Sequence, residues 1–155
     1  MHGLEKIGSD NHTILYVLDA SVAVKWVLSG EPHEDKAVKI KDDQVSGVVE
    51  LCAPSFMVQE VTNAVWRALK LKRITQETAQ NALKSLDDLQ ISFYELKWSA
   101  ACDELEIATK LDLTIYDSSY LFLSEKLDAK VITTDDKMYQ KAKNHFRVLH
   151  LKDYV

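Results

Sequence analysis

ILYVLDAS, residues Ile14 to Ser21, opens on five aliphatic or aromatic side chains and then meets an acid. A run this short, with β-branched Val17 inside it and Asp19 ending it, reads as a strand buried on both faces. The period then changes, because Val22, Ala23, Trp26 and Val27 recur at helical spacing. Asp19 therefore sits where a buried strand hands over to a helix. In open α/β sheets that junction, at the carboxyl end of a strand, is where ligands bind. A purely local reading competes with it: Asp19 or Ser21 only caps the helix. The rest of the chain has to choose between them.

At 155 residues the chain suits one domain with a core large enough to need no staples. A hydrophobic content of 46%, with four glycines and two prolines, argues for a compact fold over disorder. The formal net charge of −5 lacks the footprint of a general nucleic-acid binder, unless the acids gather where cations neutralise them. Cys52 and Cys102 are isolated and without ligand spacing, which points to a reduced, cytoplasmic setting. The five histidines form no H-x-x-x-H pair and read as surface or edge residues. No apolar run approaches the roughly 18 residues of a membrane span, and no signal-peptide core is present, so no membrane is expected. Residues 1–12 lack periodicity and are expected to be a flexible tail or an expression remnant, leaving a single domain over 13–155.

Beyond the first helix, strands and helices alternate. Ser29 to Pro32 reads as a turn, with Glu31 and Pro32 opening a polar helix through about Lys41, and Gly47 ends that region. Val48 to Ala53 reads as the second strand, stopped by Pro54. Ser55 to Lys70 is an amphipathic helix, and Thr75 to Leu89 a second one. Ile91 to Leu96 reads as a strand and Trp98 to Leu111 as a helix. Asp117 to Leu127 is apolar almost all round and is expected deep in the structure. Lys130 to Thr133, Asp136 to Asn144 and Phe146 to Leu151 complete the chain as strand, helix and strand. Such alternation implies a parallel sheet covered on both faces through right-handed crossovers.

Three acids share one kind of address. Asp19 follows the first strand, Asp135 follows the fourth, and Asp117 opens the buried helix just before it. Parallel strands put their carboxyl ends on one edge, so Asp19 and Asp135 can converge there. Glu60 lies one turn into its helix, on the border of the apolar stripe, with Asn63 and Arg67 on its polar side. Each acid has a bland alternative, as a cap for Asp117 and Asp135 or a solvated residue for Glu60. Four together look less accidental. Such a cluster repels itself unless a cation sits within it. With oxygen donors only, Mg²⁺ or Mn²⁺ is favoured over Zn²⁺. Carboxylate-held Mg²⁺ is standard equipment for displacement at a phosphodiester.

On these residues the chain resembles the PIN-domain nucleases, and more narrowly the VapC toxins of toxin–antitoxin pairs. The resemblance rests on V-L-D-A-S at Val17 to Ser21, A-P-S at Ala53 to Ser55 and Q-E-V-T-N-A-V at Gln59 to Val65. It continues through Y-D-S-S-Y-L-F-L at Tyr116 to Leu123 and I-T-T-D-D-K-M at Ile132 to Met138. It implies a three-layer α/β/α sandwich on a mostly parallel five-stranded sheet. It also implies a Mg²⁺-dependent endoribonuclease, usually a homodimer, silenced by a VapB-type antitoxin. The family's acidic quartet would fall on Asp19, Glu60, Asp117 and Asp135. Asp19 and Asp117 would hold the metal, Asp135 would complete the site, and Glu60 would position or deprotonate the attacking water. Ser21, Asn63 and Thr133 would orient the carboxylates by hydrogen bonds. Asp136 is assigned to the helix start or to more distant support. Lys25, Lys70, Lys72 and Arg73 are candidate RNA contacts, and for the last three a solvated helix end is the alternative.

Other functions compete with this reading. A PIN nuclease of RNA processing would share every residue and lack only the antitoxin. A haloacid-type phosphatase needs a second aspartate two residues after the first, where this chain has Ser21. A receiver domain would need an acid pair near the first strand and a late lysine, and Lys130 is poorly placed for that. A non-catalytic binding domain would have no need of all four acids.

Overall fold

The computed structural model describes residues 12–155, so the expected tail lies, apart from His12, outside the described residues. β1 (Ile14–Leu18) forms where the apolar run predicts it and becomes the middle strand of the sheet. It pairs in parallel with β2 (Val49–Pro54) on one side and with β4 (Lys130–Thr133) on the other. β3 (Ser92–Tyr94) extends the sheet beyond β2, and β5 (Val148–His150) extends it beyond β4. The order is β3-β2-β1-β4-β5, parallel throughout. Leu18, Leu51 and Ile132 are fully buried on the three inner strands, each contributing about 1.5–3 kcal/mol of burial. Both edge strands are shorter than the sequence reading. With a neighbour on one side only, their flanking residues lack ladder partners and leave the sheet.

Seven helices cover the sheet among the described residues: α1 (Ala20–Ala23), α2 (Glu34–Val45), α3 (Met57–Lys70), α4 (Gln76–Asp87), α5 (Trp98–Leu111), α6 (Ile115–Lys126) and α7 (Asp136–Ala142). Right-handed crossovers place α1 to α4 on one face and α5 to α7 on the other. The first helix is shorter than its periodicity suggests, tightening after one turn into a 3₁₀ segment at Val24–Trp26. α2 starts later than expected, because His33 after Pro32 takes a left-handed φ of 61°. It also runs on to Val45, ending before Gly47 at φ 76°. Thr75 caps α4, accepting from the Thr78 N–H at 3.1 Å.

The expected burial of α6 holds, since Ser118 to Ser124 are all buried. Its serines enter the core by donating to carbonyls of their own helix: Ser118 to Thr114, Ser119 to Ile115 and Ser124 to Leu121. Asp117 does not open this helix. Thr114 caps it, and Asp117 is the third residue inside.

Candidate active site

The chain leaves β1 toward β2 and β3 on one side, then returns to build β4 and β5 on the other. The order reverses between β1 and β4, and a crevice opens at the carboxyl ends of strands that part in this way. Asp19 closes β1 there, its N–H still donating to the Ile132 carbonyl of β4 at 3.0 Å. α3 and α7 leave this same edge after β2 and β4, while α6 starts at it before β4. All four acids are thereby brought to one edge by topology: Glu60 and Asp117 in the first turns of α3 and α6, Asp135 as the N-cap of α7.

Asp19 occupies the N-cap position of α1, yet its side chain makes no capping bond. The purely local reading of this residue fails. Instead, Oδ2 accepts from Ser21 Oγ at 2.6 Å and from Thr133 Oγ1 at 2.7 Å. Those hydroxyls accept in turn from backbone N–H groups after β4: Thr134 N to Ser21 Oγ and Asp135 N to Thr133 Oγ1, both 3.0 Å. Each hydroxyl has its acceptor side occupied by an amide, so its own proton is directed at Asp19. One carboxylate oxygen is locked. The other, Oδ1, has no partner among the described residues.

Burial pushes the Asp19 carboxyl up to about 6; the Ser21 and Thr133 hydrogen bonds oppose the rise, and the charges of Glu60 and Asp117 add to it. Burial also lifts Glu60 above the usual carboxylate range, with the Tyr120 hydrogen bond opposing and the charge of Asp117 adding. Asp117 rises for the same first reason, opposed by Thr114 and Lys137 and assisted by Asp135. The four acids thus share one electrostatic neighbourhood, and none of them has a salt bridge among the described residues. Asp135 does act as a cap, Oδ1 accepting from the Met138 N–H at 3.0 Å.

No three acids, histidines or cysteines among the described residues form a ready-made metal-binding group. The chemistry of the four acids nevertheless fits a hard divalent cation: oxygen donors only, mutually repelling, and a free Asp19 Oδ1 beside a locked Oδ2.

Other expected residues fall elsewhere. Asn63 is exposed and makes no side-chain hydrogen bond among the described residues, so it does not orient these carboxylates here. Asp136 is the first residue of α7, is exposed, and accepts from His150 Nε2 at 3.0 Å instead of supporting the acids. That donor assignment follows because His150 Nδ1 accepts from the Lys152 N–H. Lys25 corrects the RNA-contact expectation. The 3₁₀ turn carries it inward, it is only 8% exposed, and its Nζ faces Glu31 at 3.9 Å. Lys70, Lys72 and Arg73 are exposed at the end of α3, about 15 Å from Glu60 along the helix. Tyr120, which donates to Glu60 Oε1 at 2.7 Å, escapes a reading of the sequence because it stands in the most apolar stretch of α6.

Comparison with known proteins agrees with this architecture. The PIN domain family model matches residues 16–144. Exonuclease VapC9 of Pyrobaculum aerophilum is 27% identical over 129 residues, covering 83% of this chain and 86% of its own. Ribonuclease VapC3 of the same organism is 26% identical over 129 residues, covering 81% and 92%. Among solved structures, PAE2754 of Pyrobaculum aerophilum superposes with a TM-score of 0.65 at 24% identity, covering 90% of this chain and 92% of that one. VapBC-5 of Mycobacterium tuberculosis, from a family of toxin–antitoxin systems, gives 0.53 at 14%, covering 88% and 96%. With its family match spanning most of the sequence, the chain belongs to the PIN domain family.

Proposed function

We propose that this protein is a divalent-metal-dependent endoribonuclease of the VapC kind, acting in the cytoplasm and neutralised by a VapB-type antitoxin. One observation carries the reading: four acids without a salt bridge among the described residues gather at the switch point, with Asp19 held by two hydroxyls through one oxygen and the other oxygen left free of hydrogen bonds among the described residues. Asp19, Asp117 and Asp135 would hold Mg²⁺ or Mn²⁺. The ion would supply Lewis-acid stabilisation of charge developing on a phosphodiester. Glu60, one oxygen bound by Tyr120, would take the proton from the attacking water with the other. Ser21 and Thr133 keep Asp19 from rotating away.

For the antitoxin we propose an arginine or lysine directed at the acids, since a planar guanidinium satisfies a carboxylate through two charge-assisted bonds. Apolar residues of the same segment would fill the groove between α3 and α4, lined by Met57, Val61, Leu83, Leu86, Ile91 and Phe93. A homodimer is proposed as well, with exposed Trp98 and Leu105 of α5 supplying apolar surface. The deciding experiment incubates a panel of RNAs with the protein, with Mg²⁺, with Mn²⁺ and with EDTA. Cleavage that needs metal and is lost in D19N supports the reading; intact RNA under every condition overturns it.

A further inference from the structure

Tyr120 lies one helical turn after Asp117 on α6, is fully buried, and points its hydroxyl at Glu60 of α3. At 2.7 Å, a hydroxyl donating to a carboxylate is a short, charge-assisted bond. The ring is held edge-on by Phe56, centroids 5.5 Å apart at 78°, and Phe56 is also the N-cap residue of α3. Its carbonyl accepts the Glu60 N–H at 3.1 Å. Glu60 is therefore fixed twice from one source, by backbone through Phe56 and by side chain through the tyrosine that Phe56 packs against. Burial comes first among the causes that raise the Tyr120 phenol far above its usual range, with the charges of Asp19 and Glu60 adding to it. The hydroxyl therefore stays a donor. A phenylalanine here would fill the same space; the hydroxyl adds the bond to Glu60 and a contact with the Ala20 backbone amide.

We propose that Tyr120 is a positioning residue for the reaction, locking Glu60 Oε1 so that Oε2 alone is presented to the attacking water. This rests on the nuclease reading above. It mirrors the arrangement at Asp19, where Oδ2 is locked and Oδ1 is left open. Asp19 and Glu60 would each be reduced to one working oxygen. Because the side-chain bond goes to Glu60 and to none of Asp19, Asp117 and Asp135, removal of the hydroxyl should act on turnover and leave binding alone.

The test compares wild type, Y120F, E60Q and the double variant in metal-dependent RNA cleavage, with melting curves confirming that each is folded. Y120F is expected to lower kcat about ten- to hundredfold, the cost of one hydrogen bond to a charged group. KM and the Mg²⁺ concentration for half-maximal rate should not move. In the E60Q background the same substitution should cost turnover little further, because the proposed effect of the hydroxyl runs through Glu60. Wild-type kcat in Y120F, a loss residing in KM or in the metal requirement, or losses that multiply in the double variant would each overturn the inference. An inert wild type would overturn the nuclease reading and this inference with it. An active wild type beside an indifferent Y120F would overturn this inference alone.

Discussion

Charge is handled in opposite ways at the corner after β1 and at the far end of α3. At the corner, Asp19 is 6% exposed and takes two hydroxyl bonds of 2.6 and 2.7 Å, backed by two amides. At the end of α3, Lys70, Lys72 and Arg73 stand in solvent, where Lys70 lies over the Trp66 ring at 4.6 Å. The first arrangement sacrifices stability to hold a charge in one place. The second leaves charges mobile and cheap, which suits attraction to a phosphate chain and not chemistry on it. If that division is right, damage to the corner should abolish turnover and damage to the helix end should weaken only capture.

Asp19→Asn is the strongest test. Loss of the charge with the shape retained should reduce metal-dependent cleavage about a thousandfold or more. The same variant should be more stable than wild type in EDTA at neutral pH. Folding holds a proton on Asp19 up to about 6, above its value in the unfolded chain. That contribution is fully present below about pH 4 and is lost as pH rises through 6, on the order of 3 kcal/mol. Glu60 and Asp117 are raised too and act in the same direction. Melting temperatures across pH 4 to 8 should therefore converge at the acid end and separate above 6, with D19N higher. A variant that cleaves at wild-type rate, or that melts lower throughout, would break the comparison.

Thr133→Val comes next. Valine keeps the volume but removes the 2.7 Å donor to Asp19 and the acceptor for the Asp135 N–H. Removing such an orienting bond costs about ten- to a hundredfold in activity or metal affinity. Mg²⁺ titration of cleavage would show it, and an unchanged titration curve would mean that Asp19 is held without Thr133, by Ser21 and packing.

Legibility in the sequence follows the same division. β1 and β4 can be read because a buried parallel strand is spelled by a short apolar run, and Asp19 and Asp135 inherit their positions from those runs. Glu60 can be placed on the border of a stripe because α3 has strong 3.6-residue periodicity. The partner of Glu60 cannot. Tyr120 stands in a helix apolar on every side, and periodicity says nothing about which distant group a buried hydroxyl meets. Lys25 misleads for a related reason: the tightening of α1 into a 3₁₀ turn leaves no mark on hydropathy, yet it rotates the side chain inward. Asn63 enters the site by resemblance alone, and its helical phase places it on the solvent side.

A smaller effect is expected from replacing Lys70, Lys72 and Arg73 together by alanine. KM for RNA should rise a few-fold with kcat unchanged. The salt dependence of binding should flatten by about 0.7 for each single-strand phosphate that these cations no longer neutralise. Cleavage assays over a range of KCl concentrations separate the two parameters. A fall in kcat would place these cations nearer the chemistry than the roughly 15 Å along α3 allows.

Lys72 itself offers the mildest test. α3 ends with the Arg73 N–H donating to the Ala68 carbonyl and the Lys72 N–H to that of Leu69, both at 2.9 Å, with Lys72 at a φ of 56°. This is the Schellman arrangement, whose left-handed residue is usually glycine. A lysine there costs about 1 kcal/mol against glycine. Lys72→Gly should therefore raise the melting temperature by about 2–4 °C in a protein of this size. If it also weakens RNA capture slightly, a strained backbone has been kept for the sake of an exposed charge, the counterpart at this end of the buried charge at Asp19. If the stability rises and capture is untouched, Lys72 belongs to the solvated helix end, and Lys70 and Arg73 carry whatever attraction the cluster provides.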